Sequence, residues 1–184
     1  MLAARLLADK GVREFVDAAR TILAIKSTEG PVVRFVLVGD IDESNPTSIT
    51  EGELLRWKAE GIVELWGHQV DMPKVLSQAY IVVLPSYYGE GLPKVLIEAA
   101  ACGRAVVTTD HPGCREAIEN QVSGILVPIR DSDALADAIL RLLQDRELGG
   151  AMGKAGRRLA ERSFGVERVV ATHMRIYDEL LAKC

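Results

Sequence analysis

The chain has 184 residues, 48% hydrophobic and 26% charged, with a formal net charge of −4. These values fit one globular domain, and with no basic run and 5% aromatics they exclude a nucleic-acid-binding surface. No stretch approaches the roughly 18 apolar residues of a membrane span, and the first residues do not follow the layout of a signal peptide.

In chain order, short β-rich runs alternate with longer helical patterns. A strand is expected around residues 1–5, a helix over 12–25, then a strand over 32–38 ending in Gly39-Asp40. A helix over about 50–60 leads to a strand over 62–66 that ends in Gly67. Next come a helix at about 72–79, a strand at 80–84, a helix at 92–102, a strand at 105–108, a helix at about 114–119 and a strand at 124–127. Asp131-Ser132-Asp133 starts a helix that runs through Gln144, with acidic residues at its N-terminal end. Helical patterns over about 147–163 and 166–182 complete the chain.

The strand runs are short and almost uniformly apolar, as parallel strands covered on both faces are. The alternation predicts βαβ units with right-handed crossovers, and so an α/β fold: a three-layer α/β/α, Rossmann-like domain with a parallel sheet of about six strands. Ligands bind such sheets beyond the carboxyl ends of the strands. Those ends are Gly39-Asp40, Gly67-His68, 85–90, 108–113 and 128–130, where the polar and glycine residues concentrate.

Residues 84–109, LPSYYGEGLPKVLIEAAACGRAVVTT, are the most informative. A strand runs into a turn that carries Glu90, and Gly91-Leu92-Pro93 opens a helix. Pro93 is expected in the first helical turn, where its missing N–H is no loss. The free N–H groups of that turn, with the helix dipole, make a site for an anion such as phosphate. Glu98 falls inside the helix among Val95, Leu96, Ile97, Ala99, Ala100 and Ala101, a costly place for a charge that is neither paired nor hydrogen-bonded. Glu90 and Glu98 form an E-x(7)-E spacing that lets both face one pocket. A carboxylate accepts two hydrogen bonds well and suits a vicinal diol such as ribose. The plainer alternatives are a solvated turn acid for Glu90 and an exposed ion pair with Lys94 for Glu98, at i, i+4 in the less favourable order.

Arg5 and Lys10 flank Leu-Leu-Ala-Asp ahead of Gly11. Two cations in a strand-end loop suit a diphosphate, although without context they read as ordinary surface charges. His68 and His111 sit in strand-end loops and His173 in the last helix, too scattered for a metal site. Cys102, Cys114 and Cys184 fit neither a disulfide framework nor a zinc site; they read as buried or incidental thiols and agree with a reducing cytosol. No G-x-G-x-x-G follows a strand, and there is no P-loop signature.

At these residues the chain resembles, over nearly its whole length, the C-terminal, donor-binding half of a family-4 retaining glycosyltransferase of the GT-B fold. Arg5-Leu-Leu-Ala-Asp-Lys10-Gly11 resembles the family's R-L-x-x-x-K-G element, and Phe35-Val-Leu-Val-Gly39-Asp40 its glycine-ended strand. Val63-Glu-Leu-Trp-Gly67-His68 resembles the element beside the nucleotide base. Residues 85–103 resemble the signature E-x(7)-E block, and 113–124 the g-x-x-E-x-v-x-x-g-x-x-G segment.

The resemblance implies roles. Arg5 and Lys10 neutralise the departing diphosphate, and Glu90 contacts sugar hydroxyls. The N–H groups of Gly91 and Leu92, next to Pro93, bind the sugar or its phosphate, and Glu98 holds the ribose diol. Gly39, Gly67 and His68 border the donor. No cofactor or metal is implied, because the two cations take the metal's place. Two departures stand out: Glu90-Gly91-Leu92-Pro93 replaces the commoner E-G-F-G, and an N-terminal acceptor domain is missing. Residues 1–184 are then one nucleotide-sugar-binding domain, inactive alone. In it, 164–184 is a helix that packs toward the absent domain through Val169, Val170, Ile176 and Leu180. The nearest resemblance is to bacterial enzymes of lipopolysaccharide, capsule and undecaprenyl-linked oligosaccharide synthesis. That implies a UDP-sugar donor, a lipid-linked or polysaccharide acceptor, and a cytoplasmic protein that touches the inner membrane face through its other domain. Two alternatives remain: another GT-B enzyme such as a nucleotide-sugar epimerase or phosphorylase, and a non-catalytic nucleotide-binding module.

Overall fold

The computed structural model describes residues 1–25, 32–89 and 91–182. The strands are β1 (Leu2–Ala3), β2 (Val36–Val38), β3 (Glu64–Leu65), β4 (Ile81–Leu84), β5 (Ala105–Thr109) and β6 (Gly124–Val127). The helices are α1 (Val12–Ile25), α2 (Glu51–Ala59), α3 (Met72–Ser77), α4 (Lys94–Ala101), α5 (Pro112–Glu116), α6 (Ser132–Gln144), α7 (Arg146–Ser163) and α8 (Val166–Leu181).

All strand pairings are parallel, in two ladders ordered β1-β2-β3 and β4-β5-β6. The sequence predicts a parallel sheet of about six strands, and six parallel strands are found. The two ladders meet where the two-residue β1 runs beside β4, joined by hydrogen bonds of Met1, the residue just ahead of β1. The Met1 nitrogen donates to the Ile81 carbonyl and the Val83 N–H donates to the Met1 carbonyl, both at 2.9 Å. Across that join the order is β3-β2-β1-β4-β5-β6, and the direction of strand addition reverses between β1 and β4. A reversal of this kind opens a crevice at the carboxyl ends of the two strands.

Successive strand residues face opposite layers, and both layers are buried. Leu2, Leu37, Val83, Val107 and Ile125 join one cluster with Phe15, Ile22, Leu135 and Leu142 of α1 and α6. Val82, Leu84 and Val106 join a second with Leu76 of α3, Leu96 and Ala99 of α4 and Cys114 of α5. Burial on both sides explains the uniformly apolar strand runs. The expected strand over 32–38 is shorter because Val32 is 90% exposed and the chain joins the ladder only at Val36. Helix α8 buries no residue, and Val169, Val170, Ile176 and Leu180 are all more than 40% exposed. Among the described residues no helix is long and apolar enough to cross a membrane.

Candidate functional site

Three loops at the carboxyl edge are stitched together by backbone. After β1, the Ala4 N–H donates to the Val38 carbonyl at 3.0 Å and the Leu6 N–H to the Asp40 carbonyl at 2.9 Å. After β2, Gly39 has φ of 128° and lies so close to the Ala4 carbonyl that a Cβ would overlap it. Only glycine fits both conditions. Its N–H donates at 2.9 Å to the carbonyl of Gly67, the residue that turns the chain after β3. The exposed His68 follows. Arg5 leaves β1 toward the β2 loop, where Nη1 lies 3.0 Å from Asp42 Oδ2. The Asp42 carboxyl is held below the usual range by the Ser44 hydroxyl and then by Arg5.

A second group forms where the β1 exit meets the β4 exit. The 3-10 turn Ala8–Lys10 ends at Gly11, whose φ is 75° and whose α-carbon packs against Pro85. The Asp9 carbonyl accepts from the Ser86 hydroxyl at 3.2 Å and from the Tyr87 N–H at 3.0 Å. From beneath, the buried Thr108 hydroxyl donates to the Leu84 carbonyl at 2.7 Å and the Thr109 hydroxyl donates to the Ser86 carbonyl. Lys10 Nζ lies 5.6 Å from the Tyr88 ring centroid and Arg130 Cζ 4.4 Å from that of Tyr87, both within cation–π range.

Helix α4 departs from expectation at its start. Pro93 is the N-cap, with ψ of 117°, and the helix begins at Lys94. An extended ψ takes Pro93 out of the first helical turn. The unclaimed donors of that turn therefore belong to Lys94 and Val95, because the Leu96 N–H already bonds the Pro93 carbonyl at 3.1 Å. Gly91 is exposed and Leu92 half-buried just ahead of it. Glu98 is half-buried and pairs with Lys94, Nζ to Oε1 3.3 Å, which is the plainer alternative raised by its spacing. Lys94 is 88% exposed, and such a pair contributes only about 0.3–0.5 kcal/mol, too little to keep Glu98 from a ligand. Glu90 lies outside the described residues.

The structure thus joins Arg5, Gly39 and Gly67 in one group and Lys10 with the 85–88 segment in another, on the two flanks of the β1 exit. Among the described residues no hydrogen bond or ion pair joins the side chain of His68 or Glu98 to either group. His111 caps α5, half-buried, and His173 is exposed, with Nδ1 2.9 Å from the Val169 carbonyl. Among the described residues no three of His, Cys, Asp and Glu gather in a metal-binding arrangement. A cavity of about 500 Å³ lies toward the other edge of the sheet, lined by Val33, Phe35, Tyr80, Ile81 and Ile139, and none of the expected site residues borders it. Its wall also carries Arg34, Gln78 and Arg146, but the carboxyl edge, with its cations and unclaimed N–H groups, lies where a sheet of this strand order binds its ligand and is the better candidate. Tyr87 and Arg130 lie in the strand-end segments 85–90 and 128–130 that the sequence marks, although the sequence singles out neither side chain, and Asp42 lies just beyond the marked Gly39-Asp40 end.

This is an α/β domain of the GT-B type, and the chain belongs to the family "Glycosyl transferases group 1", whose model matches residues 1–145. It is similar to the N,N′-diacetylbacillosaminyl-diphospho-undecaprenol α-1,3-N-acetylgalactosaminyltransferase of Campylobacter jejuni, 34% identical over 98% of this chain and 44% of that protein. Among solved structures it resembles Anabaena Alr3699/HepE in complex with UDP, with a TM-score of 0.80 and 25% identity over 98% of this chain and 48% of that one. In fold it also resembles the C-terminal domain of a glycosyl transferase group 1 family protein, LpcC, from Francisella tularensis. There the TM-score is 0.71 and the identity 22%, over 90% of this chain and 84% of that one. The chain spans less than half the length of the curated relatives it matches, between 35% and 45% of the first three.

Proposed function

We propose that this chain is the donor-binding domain of a retaining glycosyltransferase that moves a sugar from a UDP-sugar to a hydroxyl of a lipid-linked or polysaccharide acceptor. The observation that carries the reading is that Arg5 and Lys10 stand on the loop out of β1, where the strand order reverses. A doubly wound sheet binds its ligand at that point, and two cations there favour a diphosphate. The Anabaena protein's complex with UDP and the diphospho-undecaprenol substrate in the Campylobacter protein's name support UDP and a lipid-linked acceptor.

In this reading Arg5 and Lys10 stabilise the charge that develops on the diphosphate as the sugar leaves, so the donor half needs no metal. Glu98 exchanges its weak Lys94 pair for the ribose diol, and Glu90 contacts the sugar. The N–H groups of Gly91 and Leu92, with Pro93 behind them, border the sugar phosphate. Gly39, Gly67 and His68 border the base. The acceptor site belongs to a further domain, against which the exposed stripe of α8 packs, and that domain brings the protein to the inner membrane face.

The test is product analysis with the full-length protein, a panel of UDP-hexoses and UDP-N-acetylhexosamines, and a polyprenyl-diphosphate-linked acceptor, with and without EDTA. The expected result is glycosylated lipid and UDP in equal amounts, at a rate EDTA does not change. Free rearranged sugar formed without acceptor would replace the reading with an epimerase. Nucleotide binding without turnover of any donor would replace it with a binding module.

A further inference from the structure

Arg130 is anomalous. It follows β6 with φ of 57°, a left-handed conformation that residues with a Cβ adopt at a cost. It is exposed, and among the described residues its guanidinium forms no ion pair with a carboxylate. The next residue, Asp131, is the N-cap of α6 and accepts from the Ala134 N–H at 2.8 Å, so helix and strand fix the chain on both sides of Arg130. The side chain reaches back past β5, which separates β6 from β4, to lie over Tyr87 at 4.4 Å. A strained residue that surrounding structure holds in place is a reason to look for function.

Tyr87 is where that reach matters. Its N–H bonds the Asp9 carbonyl at 3.0 Å, and the next residue carries the ring beneath the Lys10 ammonium. Ser86, Tyr87 and Tyr88 therefore connect Arg130 on one side to Asp9 and Lys10 on the other. We infer that Arg130 is a positioning residue: stacked on Tyr87, it clamps the 86–88 segment against Asp9 and so sets where Lys10 stands for a nucleoside diphosphate. The inference rests on the donor-binding reading of Lys10. Arg130 acts through Tyr87 and touches no ligand itself.

Arg130→Gly separates this role from plain stability, because glycine takes φ of 57° freely. The variant is expected to melt no lower than the parent, yet to bind UDP about 5- to 10-fold more weakly by calorimetry. Amide exchange at Tyr87 and Tyr88 should speed up in the absence of nucleotide. Arg130→Lys, which keeps a cation for the ring, should recover part of the affinity, and Tyr87→Ala should weaken binding as much as Arg130→Gly does, with no further loss in the double variant. Unchanged UDP affinity together with unchanged exchange in Arg130→Gly overturns the inference, and so does additive loss in the double variant. If the parent chain binds no UDP, the donor-binding reading fails, and the exchange measurement still decides whether the clamp exists.

Discussion

The guanidinium of Arg5 stands 3.0 Å from the carboxylate of Asp42, so the first cation of the proposed diphosphate site is already paired before any ligand arrives. The pair links the β1 exit to the β2 loop, and with Arg5 62% exposed it is a weak, solvent-screened surface pair. A diphosphate, which offers more charge, has to compete with Asp42 for it. Asp42→Asn is therefore expected to tighten UDP binding, by up to about fivefold. Arg5→Ala should weaken it by roughly 10- to 100-fold, the loss of a charge-assisted hydrogen bond. Calorimetric titration checks both, and weaker binding in Asp42→Asn would mean that the pair orients Arg5 rather than competes for it.

Gly11 sets the angle at which the Lys10 turn meets β4. Alanine there would need φ of 75° and a Cβ overlapping the Pro85 carbonyl. Gly11→Ala is expected to cost about 2 kcal/mol or more in urea denaturation, the joint effect of an unfavourable φ and a backbone clash. A cost under about 0.5 kcal/mol would show that the turn moves freely over Pro85, and then Lys10 is not held as described.

Glu53 gives the fold an acid-sensitive joint. It closes a capping box with Thr50 at the start of α2 and bonds Arg13 of α1, Nε to Oε1 2.9 Å. The hydrogen bond from Arg13, with help from Thr50, lowers its pKa from 4.5 to about 2. A pKa depressed in the folded state stabilises above the unfolded value, and the contribution is lost as pH falls through the folded value. The wild-type chain should therefore lose stability between pH 4.5 and about 2 more steeply than Glu53→Gln. At neutral pH the variant should be less stable by about 1 kcal/mol, discounted because Arg13 is half in water. Melting curves across that window check the claim, and parallel curves for the two proteins would contradict it.

These pairs also mark where local sequence stops being informative. Helix α1 starts at Val12 and strand β6 (Gly124–Val127) has the bounds that the sequence predicts, and β4 differs by one residue. Each is an apolar pattern bounded by a glycine, a proline or a polar loop, and each is buried where the pattern says. Strand β2 is overestimated because Val32 and Val33 are strand-forming residues that the ladder does not reach. Pro93 is misplaced by one position because a proline suits the N-cap and the first turn almost equally, and only ψ distinguishes them. The Lys94–Glu98 pair was legible, being an i, i+4 relation within one helix. Arg5–Asp42 and Arg130–Tyr87 were not. They join loops 37 and 43 residues apart, and which loops meet depends on strand order across the Met1 join.

Glu98 is the residue through which the proposed nucleotide site is tested most directly. Calorimetry on the full chain with UDP, GDP and ADP, repeated on Glu98→Ala, tests whether the carboxyl edge of the sheet holds a nucleoside diphosphate by its ribose. The expected result is selective UDP binding that weakens by about 5- to 10-fold in the variant, the loss of one or two hydrogen bonds to a charged acceptor. UDP binding of equal strength in both proteins, or no nucleotide binding at all, would contradict it.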